Sequence, residues 1–167
     1  LYKGRNNSMK RKERAQKAVN EDTLIYVQEI IESYRPMKKR TTHFEEKHSS
    51  LLELSGVNIR AFLPDSIPSE DLFVEPDIPP KDREGVGAYL HEKERVYLLE
   101  RGIGLLENDD TRNIARESFL EQKSRSEIAK KWCVSIATVT RRRQEAKILI
   151  AQYVDSYMNW KAEKLFY

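Results

Sequence analysis

Two helix starts stand close together near the middle of the C-terminal half, and they constrain the fold more than any other feature of the 167-residue chain. Ser124 and Glu127 have capping-box spacing, in which hydroxyl and carboxylate each satisfy an orphan amide at a helix N-terminus. A short helix through Ile128, Ala129 and Trp132 is predicted to end in a tight turn at Trp132, Cys133 and Val134. Ser135 then caps a second helix beginning at Ile136. Small Ala129 marks the crossing, and buried Trp132, Val134 and Val139 are expected to close the core around Cys133. This is helix-turn-helix spacing. Cys133 occupies the turn position where backbone of left-handed conformation favours glycine.

Phasing the second helix at about 100° per residue puts Val139, Arg143, Ala146 and Ile150 on one inward stripe. Ala137, Arg141, Gln144 and Ile148 point the opposite way, with Thr138 and Thr140 flanking them. Arg142 falls between the faces, and Arg143 reaches water only by running its stem along the core edge. In a major groove the N-terminal residues of such a helix meet base edges, and a guanidinium fork matches the paired acceptors of guanine. Arg141 is thus the expected base reader. Arg142, Arg143 and Lys147 are expected on phosphates, together with Arg125 and the capping hydroxyl of Ser124. The inward stripe continues in phase through Tyr153, Tyr157, Trp160 and Lys164, so a long last helix is predicted. Its aromatic end needs a cover: the helix around Leu24 to Tyr34, apolar residues of the middle segment, or a second copy in a homodimer.

Charge is unevenly placed along the chain. Residues 1–17 hold seven basic groups against Glu13, residues 18–110 hold 11 basic and 20 acidic groups, and residues 111–167 hold 12 basic and 6 acidic. Basic ends suit a polyanion, because cations bound to nucleic acid release condensed counterions. The expected organisation is a basic flexible tail over 1–19, a helical hairpin over 20–54, a Pro-rich acidic linker over 55–80, and a helical DNA-binding domain over 81–167 with its motif at about 124–150. The first eight residues, ahead of Met9, read as an upstream extension or a fragment boundary.

Within the hairpin, Leu24, Val27, Ile31 and Tyr34 recur at helical steps after Asn20 or Asp22, and Pro36 is expected to end or bend the helix. Met37, Phe44, His48 and Leu51 share the face of its partner. Five of six prolines lie between Ser55 and Pro80, where Leu63, Ile67, Leu72, Phe73 and Val74 are candidates for docking. A helix over about Lys81 to Glu107 carries Val86, Tyr89, Val96, Leu99, Ile103 and Leu106. Another, capped by Asp110 or Thr111, carries Ile114, Ala115, Phe119 and Leu120 through about Gln122. The fold class is all-α.

The stretch Leu105 to Val154, with Ile114, Phe119, Ser124, Glu127, Ile128, Ala129, Val134, Ser135, Thr138, Val139, Arg142 and Ala146 at these spacings, resembles the fourth-region DNA-binding domain of bacterial sigma factors. The whole arrangement, including the basic run Tyr34 to Arg40, is similar to the ArpU-like phage transcriptional regulators. That resemblance implies control of phage or prophage genes by binding DNA near a promoter.

Other chemistry is poorly supported. Cys133 is the sole cysteine, so no internal disulfide forms and a reducing, cytoplasmic setting is expected. His43 and His48 do not share a helix face and His91 lies in another segment, so no metal is expected. No Walker-type or dinucleotide glycine loop and no paired acid and base appear, so neither a cofactor nor enzymatic activity is expected. No stretch of roughly 18 apolar residues is present, so no membrane partner is expected. Three functional classes stay open: a sequence-specific transcription regulator, a phage DNA-recognition subunit such as a small terminase component, and a protein that docks RNA polymerase or a sigma factor with weak DNA contact.

Overall fold

A computed structural model describes residues 19–73 and 80–166. The elements are α1 (Glu21–Leu54), α2 (Arg83–Gly104), α3 (Asp109–Ala115), α4 (Arg125–Trp132) and α5 (Ile136–Phe166). Short 3-10 turns cover Ile59–Phe62 and Glu70–Phe73, and a π turn covers Arg116–Leu120. No strand occurs among the described residues, and the all-α expectation holds. The basic tail of residues 1–17 and the docking residue Val74 lie outside the described residues.

The hairpin expected over 20–54 is instead one helix of 34 residues with Pro36 inside it. Proline in a helix interior removes one backbone donor and clashes with the preceding turn, at about 3 kcal/mol. Here Pro36 sits on the exposed side, where water can hydrate the carbonyl freed at Glu32. Buried Ile30, Ile31 and Tyr34 before it, and Met37 and Thr41 after it, hold the helix in place from both sides. Asn20 caps α1 by accepting from the Asp22 amide at 3.0 Å, with Glu21 and Asp22 facing the positive end of the helix dipole. The departure from helical geometry comes later, at His48 (φ −124°, ψ 28°). Phe44 is stacked on Tyr89 at 4.8 Å and lies 4.6 Å from the His48 ring. Phe44 and Tyr89 join buried Leu52, Val57 and Val86 in a small satellite core.

α1 pairs with α2 rather than with itself. The two run antiparallel from Gly85 against Phe44, through Arg40 to Glu92 at 2.8 Å, to Tyr34 Oη donating to Glu100 at 2.7 Å. α2 keeps the expected apolar phase, with Val86, Tyr89, Val96, Leu99 and Ile103 all buried. Near its end Gly102 lets α5 come close, since a Cβ there would lie 3.1 Å from Ile150 Cγ2.

The described part of the Pro-rich segment is a packed strap and not a linker. Proline prevents long helices here, but short 3-10 turns still turn some side chains inward, so Ala61, Phe62 and Leu72 join the main core. Tyr97 Oη donates to the Ser66 carbonyl at 2.8 Å, and Arg101 donates to the Pro64 carbonyl at 3.2 Å. Leu63 and Ile67, two of the expected docking residues, face solvent.

After α2, the cap of α3 is Asn108 and neither Asp110 nor Thr111, because the Asn108 side chain reaches the Thr111 amide at 3.0 Å. The helix expected to continue to Gln122 widens into the π turn, which sends both Phe119 and Glu117 into the interior. α5 is a single helix of 31 residues. Its aromatic end is covered by this chain: Tyr157 Oη donates to Glu94 at 2.7 Å, Lys161 pairs with Glu94 at 2.8 Å, and Thr23 of α1 bonds Asp155. The surface that suggested a homodimer is therefore occupied within the chain.

Candidate nucleic-acid interface

α4 and the first turns of α5 form the helix-turn-helix around a small core of Ile114, Ile128, Ala129 and Val139. Both halves of the capping box are present: Glu127 N donates to Ser124 Oγ at 3.2 Å and Ser124 N to Glu127 Oε2 at 3.0 Å. Ser135 caps α5 by accepting from Thr138 N at 3.0 Å. Between the helices Cys133 is left-handed, at φ 53° and ψ 44°, and Val134 N closes the turn on the Ala129 carbonyl at 3.0 Å. Trp132 and Val134, expected inside, are 39% and 37% exposed, and the Cys133 thiol is exposed as well. Trp132 stays at the surface because its indole Nε1 donates to Glu117.

Ser124, Arg125, Ser135, Ala137, Thr140, Arg141 and Gln144 all face solvent, and Thr138 is half-buried at their edge. Among the described residues Arg141 has no carboxylate within ion-pair distance, while Arg125 reaches across from α4 to Thr140 Oγ1 at 3.3 Å. The other arginines divide. Arg142 leans towards α3, donating to Thr111 at 3.3 Å and pairing with Glu145 at 3.5 Å. Arg143 lies on the opposite edge with its guanidinium 5.8 Å from the Phe119 ring centre and its Nε buried without a partner. Ile148, phased to the outer face, is half-buried against the main core because α1 lies along that flank.

Arg143, Lys147 and Arg125 converge, and the two half-buried cations suffer for it. Burial lowers the proton affinity of Arg143 below the ordinary guanidinium value, and Arg125 adds repulsion. Burial likewise lowers Lys147, followed by repulsion from Arg143 and Arg125, with only Glu32 acting the other way. Among the described residues none of the three has a carboxylate within ion-pair distance. An anion placed beside them relieves both the repulsion and the lost hydration.

Sequence reading missed the group that fixes α4 in place. Glu117 is 4% exposed, and its carboxylate accepts from Lys131, from Trp132 Nε1 and from Lys123 at 3.1 Å. Burial raises its pKa, but these three donors lower it further, to about 2. Glu117 stands three residues after Ile114, so a carboxylate in an apolar stripe is the signal the sequence carries. Among the described residues no cluster of His, Cys, Asp or Glu has the arrangement of a metal site, and no helix is long and apolar enough to cross a membrane.

No protein-family model, curated protein or solved structure matches the chain.

Proposed function

We propose that the chain binds double-stranded DNA through α4 and α5 and acts as a sequence-specific transcription regulator of the sigma-like or ArpU-like kind, without enzymatic activity and in the cytoplasm. The observation that carries this reading is the cluster of Arg125, Arg143 and Lys147, which has no ion-paired carboxylate among the described residues, beside the exposed face of Ala137, Thr140, Arg141 and Gln144. The N-terminal turns of α5 enter the major groove, and Arg141 reads guanine. Ser124, at the positive end of α4, and the three clustered cations take phosphates. Arg142 contributes less than its neighbours because Thr111 and Glu145 already engage it. Thr138, half-buried and bonded to Ser135, shapes the edge of the reading face rather than its centre.

The test is selection of bound duplexes from a random pool by the parent protein and by Arg141→Ala at one salt concentration. One enriched motif, relaxed in the variant, is expected. Equal enrichment by both proteins removes Arg141 as the reader, and enrichment by neither removes direct base reading as the function.

A second reading, in which the motif docks on RNA polymerase, draws on the exposed side chains of Trp132, Val134 and Ile136 around the turn. DNA affinity that hardly changes with salt, combined with capture of purified polymerase, would favour it.

A further inference from the structure

α1 carries a basic run that the helix-turn-helix does not use. Arg35, Lys38, Lys39 and Arg40 stand on consecutive faces of the helix, and the structure sorts them into two groups. Lys38 and Arg40 each meet a carboxylate of α2: Glu100 at 2.7 Å and Glu92 at 2.8 Å. Arg35 and Lys39 line a groove of about 600 Å³ between α1 and the π turn, with Tyr34, Lys38, Thr42, His43 and Leu120 along its walls. Both are exposed, and among the described residues neither has a carboxylate within ion-pair distance. Of the acids around this groove, Glu46 lines it, Glu100 is engaged by Tyr34 and Lys38, and Glu121 is paired with Lys123 at 3.0 Å.

The groove also has a direction. Arg35 donates to the Glu121 carbonyl at 3.0 Å, and from Glu121 the backbone leads directly to Ser124 and the N-terminus of α4. Glu32, one turn before Arg35, lies close enough to Lys147 of α5 to act on its charge, which brings α1 beside the helix-turn-helix cations. The groove cations Arg35 and Lys39 therefore lie along α1 from the cluster of Arg125, Arg143 and Lys147, with Glu32 between the two groups.

We infer that the groove between α1 and the π turn is a second contact for the DNA backbone, taking phosphates that flank the segment read by α5. This rests on the proposed DNA binding. A phosphodiester suits the place because the groove offers a guanidinium and an ammonium at its surface and lacks the paired donors and enclosed walls that select a free small anion. Contacts of this kind add affinity without sequence preference.

The experiment uses the full chain and two duplexes carrying the selected site, one short and one extended by a helical turn of about 10 base pairs on each side. The variants are the double substitution Arg35→Gln with Lys39→Gln, and Arg141→Ala. With the extended duplex, the double variant should bind more weakly at every sequence, and its slope of log affinity against log salt should be shallower by about 1 to 2, at roughly 0.9 for each phosphate left unneutralised. On the short duplex it should match the parent, and its ratio of selected to unrelated DNA should be unchanged. Lys39→Gln alone leaves the Arg35 to Glu121 bond in place and should still make the slope shallower by about 0.9. A double variant equal to the parent on the extended duplex overturns the groove assignment alone, provided Arg141→Ala still loses base preference. A parent that binds neither duplex overturns the DNA reading and the groove with it.

Discussion

Replacing Glu117 with glutamine tests how the helix-turn-helix is held to the rest of the molecule. The substitution preserves shape, and Gln Oε1 can still accept from the Trp132 indole, but the charge shared with Lys131 and Lys123 is gone. Those lysines are 54% and 37% exposed and regain water when released, so the loss belongs mainly to the buried carboxylate. Its pKa falls from the ordinary 4.5 to about 2 on folding, and at about 1.4 kcal/mol per unit the ionised group stabilises the native state by about 3 kcal/mol at neutral pH. Because the folded value is the lower one, this contribution is complete above 4.5 and disappears as the pH falls towards 2. At pH 3 about 1 kcal/mol should remain. Urea unfolding followed by tryptophan fluorescence should therefore separate parent and variant by about 3 kcal/mol at pH 7 and by about 1 kcal/mol at pH 3. A separation that stays constant across that range, or is absent at pH 7, would show that the three donors do not act on Glu117 as an ion.

Two further sites and one control probe backbone and packing. Cys133→Gly should stabilise the chain by about 0.5 to 1 kcal/mol, since the left-handed turn at φ 53° is one that only glycine adopts without steric strain; a fall in the thermal midpoint would contradict this. Gly87→Ala, with nothing within 4 Å of the new Cβ, should gain up to about 1 kcal/mol of helix propensity. Gly102→Ala should instead lose about 1 kcal/mol by calorimetry, because its Cβ meets the fully buried Ile150 at 3.1 Å.

What is legible in the sequence is local. The two serine caps, the left-handed turn and the inward stripe of α5 each depend on residues within a turn or two of one another, and each is found where the spacing puts it. The errors come from contacts distant along the chain. Pro36 reads as a stop until buried neighbours on both sides hold the helix against α2 and α5. The prolines between Ser55 and Pro80 read as a linker because periodicity does not reveal that Phe62 and Leu72 reach the main core. Ile148 phases outward on an isolated helix, and only the position of α1 covers it. Hydrophobicity places Trp132 inside, whereas its indole N–H reaches a buried carboxylate from the surface.

Because α5 runs unbroken over 31 residues, it behaves as a stiff rod about 46 Å long, at 1.5 Å per residue. Its far end is fastened at Glu94 by Tyr157 and Lys161, some 24 Å along the axis from Arg141, on the order of 1.5 Å per residue. A tilt of about 5° around that fastening carries the arginine sideways by about 2 Å, more than the width of the distance range in which a hydrogen bond keeps its strength. Aim at one end of the molecule is thus set by packing at the other, and a substitution at Glu94 or Tyr157 is felt where no atom of either residue reaches.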